Sequence, residues 1–451
     1  MTERFEILEK ALVKMLEDKK HTALRDVLTT MNPADIAAVF ASLREEKIPL
    51  MFRLLPKELA AETFVEMETE DQELLIRGFS DNELKEVLDE LYVDDAADLV
   101  EEMPANVVRR ILKQVDPETR KSINQILQYP ENSAGSWMTT EYVSLRPEMT
   151  VEESILRIRR QGVDKETIYT CYVTKDRTLL GLVTVKDLLL AENDEICVSE
   201  IMSTNIISVT THTDQEEVAR MFSKYDFLAL PVVDKENRMV GIVTFDDAMD
   251  VIEEETTEDM ELMNAVLPSD DEYLKMSVTA LARNRIPWLC VLMISGTLSA
   301  FVIGMYQELL DSVVVLSSFM TIITGTGGNA GSQASAMIIR GLALGEIQMR
   351  DTIKVVFKEL RVGAICGLVL AIVNMARMTF FDSGTPFNID LTVSISMGVA
   401  VILAKTLGCS LPILAKAVKL DPAMMAGPLI TTVVDAIALV VYFSIATTLI
   451  L

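Results

Sequence analysis

Asp435 is the one carboxylate in residues 422–451, a stretch otherwise free of Asp, Glu, Lys and Arg. It closes the segment Gly427-Pro428-Leu429-Ile430-Thr431-Thr432-Val433-Val434-Asp435. An ionised Asp in hydrocarbon costs several kcal/mol unless it faces water, an ion or a partner. On a helix Thr431 and Asp435 share a face, so hydroxyl and carboxylate oxygens, with Thr432 beside them, could line a path for a cation. The plainer reading is a protonated or internally hydrogen-bonded Asp with a structural role. A second polar island, Thr324-Gly325-Thr326-Gly327-Gly328-Asn329-Ala330-Gly331-Ser332-Gln333, interrupts another apolar stretch. Its glycines would weaken a helix. Irregular backbone at membrane depth survives only inside protein or along a wet cavity. Close helix packing through small residues is the other reading, and the two are compatible.

Carboxylates also cluster outside the apolar stretches. Asp94, Asp95 and Asp98 stand at i, i+1 and i+4. Asp246, Asp247 and Asp250 are followed by Glu253, Glu254, Glu255, Glu258 and Asp259 on what reads as one long helix. A charge run is usually a solvated face, but this density exceeds what solubility needs. Like charges ~6 Å apart at an effective dielectric of ~20 repel by roughly 3 kcal/mol. Packing such faces together requires counter-ions. Hard divalent cations suit carboxylate and water ligands, and Mg2+ keeps much of its hydration shell.

Composition removes other chemistries. The 451 residues carry 68 Asp+Glu against 41 Lys+Arg, a net charge of −27. That balance excludes nucleic acid as a partner, because binding would need cations on the phosphates. Hydrophobic residues make up 50%, too many for a long disordered tail. His21 and His212 are far apart and the five cysteines contain no CxxC. Neither a zinc site, a His-based triad nor a disulfide framework is indicated. No nucleophile–base constellation and no phosphate-cradling loop with a Lys supports enzyme chemistry. The opening MTERFEILEK reads as a soluble helix start rather than a secretion signal.

The length suggests about three domains, and charge divides them. Residues 283–451 hold 11 Lys/Arg and 9 Asp/Glu, which leaves 30 and 59 in residues 1–282, a net −29. Within the neutral half, uncharged windows cover 288–306, 312–339, 362–376, 391–415 (broken by Lys405) and 422–451 (broken by Asp435). About 20 apolar residues cross a bilayer, so five transmembrane helices are expected. Arg283, Arg285, Arg340, Arg350, Lys354, Lys358, Arg361, Lys416 and Lys419 lie in alternate connections, whereas those near Glu308/Asp311 and Asp382/Asp390 lack Lys and Arg. The positive-inside rule places residues 1–282 in the cytoplasm and the C-terminus outside. Lys405 reads as a snorkelling side chain or a partner for a carboxylate.

Residues 138–252 repeat internally. Met138-Thr139-Thr140 and Met202-Ser203-Thr204 are 64 apart, and Gly181-Leu182-Val183-Thr184-Val185-Lys186-Asp187 matches Gly241-Ile242-Val243-Thr244-Phe245-Asp246-Asp247 at an offset of 60. Each copy reads strand, helix, strand, strand, helix. This looks like a tandem pair of CBS domains, which implies a pseudo-two-fold disc that dimerises and can hold an adenosine nucleotide such as ATP. Thr184, Asp187, Thr244 and Asp247 match ribose- and phosphate-contacting positions of nucleotide-binding members, and Phe227 joins them as a candidate; an empty, structural cleft is an equal expectation. Residues 1–130 are short amphipathic helices separated at Asn32-Pro33, Leu55-Pro56, Ser80-Asp81, Met103-Pro104 and Asp116-Pro117. They suggest a small helical superhelix of stacked pairs.

Taken together, the chain resembles the MgtE family of magnesium transporters/channels over essentially its whole length. The matching segments are Tyr129 to Thr139 (YPENSAGSWMT), Asp246 to Asp259, Arg285-Ile286-Pro287-Trp288, Gly327 to Gln333 and Asp421 to Asp435. The resemblance implies an acidic helical domain (1–130), tandem CBS domains (131–252), a connecting or plug helix (253–283) and a pore domain of five transmembrane helices per protomer (284–451). It implies a homodimer in the cell (inner) membrane that imports Mg2+ and closes when Mg2+ binds its cytoplasmic domains. Asp435 matches the carboxylate that holds hydrated Mg2+ in the pore, with Asn329 near it. Asp94, Asp98, Asp214, Glu216, Asp226, Asp247, Asp250, Glu255, Glu258, Asp259 and Asp421 fall at or near regulatory Mg2+ positions. Ala426 and Leu429 are mild departures from the Ser and Phe usual around the Gly-Pro. Two other readings remain at this point: a nucleotide-regulated secondary transporter of another ion, and a non-transporting membrane sensor of Mg2+ or ATP.

Overall fold

In the computed structural model the described residues are 2–269, 273–381, 384–425 and 427–450; Asp382 and Ala426, noted above, lie outside them. The chain divides into two compact units, Met1–Ile252 and Glu253–Leu451.

The first unit opens with ten short helices. They are α1 (Thr2–Glu17), α2 (His21–Leu28), α3 (Pro33–Ala41), α4 (Ile48–Phe52), α5 (Lys57–Val65), α6 (Thr69–Gly78), α7 (Asp81–Leu88), α8 (Val93–Glu102), α9 (Ala105–Gln114) and α10 (Pro117–Ile126). The expected joints are where helices start. Pro33 and Pro117 occupy the first helical turn, where a missing N–H costs nothing. Asn32 accepts from the Ala34 amide at 3.1 Å, Asp116 accepts from Glu118 and Thr119, and Ser80 with Glu83 forms a capping box. Phe52 packs against Phe40, Phe64 and Phe79 with ring centroids 6.5, 6.3 and 5.4 Å away, tilted or edge to face. Each such burial contributes about 1.5–3 kcal/mol.

The repeat follows as β1 (Tyr142–Leu145), α11 (Val151–Gln161), β2 (Thr167–Lys175), β3 (Thr178–Thr184) and α12 (Val185–Leu189), then α13 (Val198–Ile201). The second copy is β4 (Val209–Thr210), α14 (Gln215–Tyr225), β5 (Ala229–Val233), β6 (Met239–Thr244) and α15 (Phe245–Met263). Both sheets have the same order, a parallel pair followed by an antiparallel one. The copies are exchanged at their lead-ins. Thr139 pairs with Ile242 of β6, and Ser203 pairs with Leu182 of β3. The repeated glycines serve this exchange, since a Cβ on Gly241 would meet the Thr139 carbonyl at 2.5 Å and one on Gly181 the Met202 sulfur at 2.5 Å.

The expected connecting helix over 253–283 is not one helix. α15 begins at Phe245, inside the repeat, and stops at Met263. Ala265 takes a left-handed φ of +56° and Pro268 follows, so the helix cannot continue. A new helix, α16 (Val278–Met305), starts under a Ser277 cap and includes Arg283, Arg285 and an internal Pro287.

After α16 come α17 (Gln307–Ser312), α18 (Met320–Ala343), α19 (Thr352–Phe381), α20 (Phe387–Ala417) and α21 (Gly427–Ile450). α20 is the hub, packed on α18, α19 and α21, while α16 touches α21 and leaves most of its surface open. By length and composition, α16, α20 and the segment Ala423–Ile450 are long and apolar enough to cross a membrane. The 312–339 window is not a single element either; a 3-10 turn, Val314–Phe319, precedes α18. α18 itself runs unbroken through its glycines, so there the packing reading holds and the weakened-helix expectation does not. A Cβ on Gly327 would stand 3.3 Å from Val434, and one on Gly331 3.0 Å from Ile430. Gly408 of α20 is tighter still, with its Cβ position 2.3 Å from the Gly331 carbonyl.

Gly408→Val should therefore push α20 off α18 and destabilise the chain by about 1–3 kcal/mol or more. The comparison is Gly296→Val, where nothing lies within 4 Å of the added Cβ. Thermal midpoints of the detergent-purified variants check this; equal midpoints would refute the close-packing account.

Candidate ion pathway and acidic sites

α21 begins at Gly427 with φ +36°, and a Cβ there would lie 2.7 Å from the Met263 carbonyl, so the end of α15 rests on the start of this helix. Within the first turns the Thr431 and Thr432 hydroxyls both donate to the Pro428 carbonyl, at 2.8 and 2.9 Å. With their protons so engaged, the two oxygens present only lone pairs. Asp435 follows one turn after Thr431 and is partly exposed. Among the described residues no hydrogen bond or ion pair reaches its carboxylate. Its Oδ1 lies 3.4 Å from the Cβ position of Gly328, and Thr431 Cγ2 lies 3.2 Å from it. α18 thus contributes a bare backbone surface at Gly328, and the next residue, Asn329, is exposed. Lys405 is buried at 7% exposure without an ion pair among the described residues, so it does not neutralise Asp435.

The first unit holds a different kind of site. Asp94, on α8, is 7% exposed, and its Oδ1 has no hydrogen-bond partner. Burial, and then the charges of Asp95, Asp247, Glu166 and Glu141, push its carboxyl well above the usual carboxylate range. Burial, followed by Asp247 and Glu141, raises Asp95 to about 7. Burial, then Asp247 and Asp95, raises Glu166 to about 8, and Glu166 Oε2 is buried without a partner. Asp247 is raised to about 6 by burial against the opposing pull of the Thr244 hydroxyl, which donates to it. Asp98 is raised to about 7, first by the protein around it and then by Asp95. Its side chain is exposed, so solvent screens its share. With Asp95, Glu102, Glu66 and Glu68 it lines a cavity of about 340 Å³.

Glu141 and Glu166 are absent from the expected set. Each stands alone in sequence at the head of a strand, and the Glu166 amide donates to the Glu141 carbonyl at 3.0 Å. Only the β1–β2 pairing brings them together, so no local pattern announces them. The remaining candidates are dispersed. Asp214 accepts from the Glu216 amide at 3.1 Å and caps α14, Glu216 pairs with Arg220, and Asp226 forms the left-handed end of the same helix at φ +54°. Asp250, Glu255, Glu258 and Asp259 follow along α15. Asp421 accepts from the Ala423 amide at 2.6 Å. Among the described residues no three His, Cys, Asp or Glu are close enough to hold one ion. The donor chemistry is that of hard cations carried with their water, not of a preformed cage.

One cleft of the CBS pair opens as a cavity of about 500 Å³, lined by Tyr169, Thr170, Thr184, Val185, Lys186, Leu189, Leu190 and Leu228. Thr184 is the one expected nucleotide residue in its wall. Asp187 binds the Thr184 hydroxyl at 2.6 Å in the capping box of α12, Thr244 and Asp247 are engaged with each other, and Phe227 stacks on Tyr225. The wall is mainly apolar, from residues whose types carried no binding signal.

Comparison with known proteins matches these parts one by one. Residues 31–132 match the MgtE intracellular N domain, residues 134–194 and 198–254 the CBS domain, and residues 320–445 the MgtE divalent cation transporter domain. The magnesium transporter MgtE of Thermus thermophilus is 37% identical over 446 residues, covering 98% of both chains. The chain belongs to the MgtE family. That family transports divalent cations and is not a family of enzymes. The magnesium transporter MgtE of Bacillus subtilis is 32% identical over 97% of this chain and 96% of its own. A crystal structure of the cytosolic domain of the Mg2+ channel MgtE in complex with ATP is 40% identical, with a TM-score of 0.51 over 54% of this chain and 99% of that one. The soluble part of a magnesium transporter, 29% identical, matches at 0.52 over 56% and 99%. The MgtE N domain, the CBS pair and a helical C-terminal region with candidate membrane spans are thereby established.

The raised carboxyls make stability depend on pH. Their ordinary values are about 4, so between about pH 4 and 8 the folded unit holds more protons than the unfolded chain. Their contribution is complete below pH 4 and is lost as pH rises through about 6–8. Each tenfold change in one group's proton affinity is worth about 1.4 kcal/mol. In EDTA the first unit should melt higher at pH 5 than at pH 8, and Asp95→Asn should remove part of the difference. Calorimetric midpoints that do not change between the two pH values would show these carboxyls to be solvated.

Proposed function

We propose that the chain is a Mg2+ channel or transporter of the cell membrane that works as a homodimer and carries Mg2+ into the cytoplasm. The observation that carries this reading is the unpartnered Asp435 carboxylate, held against the backbone of Gly328 on an open face of the protomer. Two copies facing each other across a two-fold axis place two carboxylates on one path. The Thr431 and Thr432 oxygens, whose protons are already donated to Pro428, accept hydrogen bonds from the water around the ion. Mg2+ gives up that water reluctantly, so selection acts on the width of the path and the placing of oxygens around a hydrated ion. Asn329, beside Gly328, adds an amide to the same face.

Five membrane helices, α16, α18, α19, α20 and α21, bring the first unit to the cytoplasmic side and the C-terminus outside, in agreement with the Lys and Arg of alternate connections. An inside-negative potential then favours inward flow by about 2.3 kcal/mol per charge per 100 mV.

The acidic faces supply closure. Bound Mg2+ brings positive charge to Asp94, Asp98, Asp214, Glu216, Asp226, Asp247, Asp250, Glu255, Glu258, Asp259 and Asp421. In its absence these carboxylates repel one another, and α15 transmits the strain to Gly427 at the head of α21. The plug role belongs to α15, 245–263. A relative's cytosolic domain was crystallised with ATP, and the apolar cleft at Thr184 and Leu228 suits an adenosine, so we assign ATP a modulating site there. No basic or helix-terminal group substitutes for Asp435 in the path, which disfavours an anion transporter.

Asp435→Ala should reduce Mg2+ flux into liposomes to background while the protein still elutes as a folded dimer; undiminished flux would mean the path lies elsewhere. Replacing Asp247, Asp250, Glu255 and Asp259 with the amides should shift closure to several-fold higher internal Mg2+, read as flux against lumenal concentration on the cytoplasmic side. An unmoved midpoint would leave these residues as a solvated face.

A further inference from the structure

A second cavity in the CBS pair, about 420 Å³ in volume, is lined by Tyr142, Ser144, Arg157, Arg160, Gln161 and Lys165. It lies where the start of β1, the last turns of α11 and the residue before Glu166 meet. Among the described residues its wall has three cations and no carboxylate, within a region (1–282) of net charge −29. Some arginines of that region form ion pairs: Arg53 with Glu83, Arg77 with Glu73, Arg110 with Asp81, Arg220 with Glu216 and Arg238 with Asp234. Among the described residues Arg157, Arg160 and Lys165 have no such pair. Arg157 Nε is moreover buried without an acceptor, a costly condition for a charged donor.

The lining also separates this cavity from the nucleotide cleft. That cleft is walled by Val185, Leu189, Leu190 and Leu228 and suits a base and ribose. Here the one apolar surface is the Tyr142 ring, whose edge-to-face packing on Tyr172, 5.9 Å between centroids, fixes its position. The Ser144 hydroxyl is held by the Thr174 hydroxyl at 2.8 Å. Two guanidinium forks, one ammonium and two hydroxyls match the many oxygens of a phosphate better than the two of a carboxylate.

We propose that this cavity binds a small phosphate-rich anion, held by Arg157, Arg160 and Lys165. The ligand class is a compact polyanion without a base, and its site is separate from the cation path and from the nucleotide cleft. It adjoins the acidic cluster: Glu141 precedes Tyr142, and Glu166 follows Lys165, so neighbouring residues serve opposite charges.

The test titrates pyrophosphate into the detergent-purified full chain, freed of divalent cations, by isothermal titration calorimetry. Saturable binding is expected. Arg157→Met and Arg160→Gln should each weaken it at least tenfold, and Lys165→Gln, in the loop before β2, several-fold with an unchanged thermal midpoint. Lys186→Gln, in the nucleotide cleft, should leave it as it was. Absence of saturable binding to the unaltered chain would overturn the proposal. So would binding undiminished in both Arg160→Gln and Lys165→Gln, or a loss in Lys186→Gln equal to that in Arg160→Gln, which would assign the anion to the nucleotide cleft.

Discussion

Carboxyl groups crowded together are the constraint on which the rest of this structure depends. Among the described residues no hydrogen bond or ion pair reaches Asp435, and Asp94 is buried with one oxygen unsatisfied and its carboxyl pushed toward the protonated form. α15 carries nine carboxylates and no Lys or Arg. Buried charge is tolerated when paired or when it holds a metal. Lys405 is buried but makes no ion pair among the described residues, and Arg157, Arg160 and Lys165, close in sequence to Glu141 and Glu166, line a separate cavity. In the proposed function the balancing charge comes from solution, which would make the fold's energy a function of cation activity.

Two backbone contacts make that dependence useful. Gly427 allows the Met263 carbonyl to rest at the head of α21, and Gly328 allows Asp435 and Thr431 to lie flat against α18. Asp435 is eight residues beyond Gly427, about 12 Å along a helix. A side chain at either glycine would separate the elements that must move or bind together. α15 is continuous from the acidic Asp246 and Asp247 to Met263.

Much of this was readable in the residues, because it is written in local or periodic patterns. The Pro and Asp/Ser joints announced the helix starts of the first domain, and the 60- and 64-residue offsets announced the doubled sheet. Asp435 was conspicuous through its apolar surroundings. Glu141 and Glu166 were not, since strand pairing alone unites them. The end of α15 at Met263 was hidden because acidic, helix-favouring residues run up to a left-handed Ala265 and Pro268. The glycines of α18 misled in the opposite sense: propensity argues against a helix, but helix–helix packing against Val434, Ile430 and Gly408 outweighs about 1 kcal/mol per glycine.

The energetic scale of closure can be set against these parts. Moving an equilibrium from 1:99 to 99:1 takes about 5.5 kcal/mol of differential binding. One like-charge pair ~6 Å apart costs roughly 3 kcal/mol at an effective dielectric of ~20, so relief of two or three such pairs spans the range. Asp94, Asp95, Asp247, Glu166 and Glu141 act on one another within one electrostatic cluster. Among the described residues none of them forms a finished cage, so under the proposed function each ion would bind weakly and closure would require several to be present together. Weak, shared sites give a threshold in cation activity, whereas a single tight site would be filled at all physiological concentrations and would sense nothing.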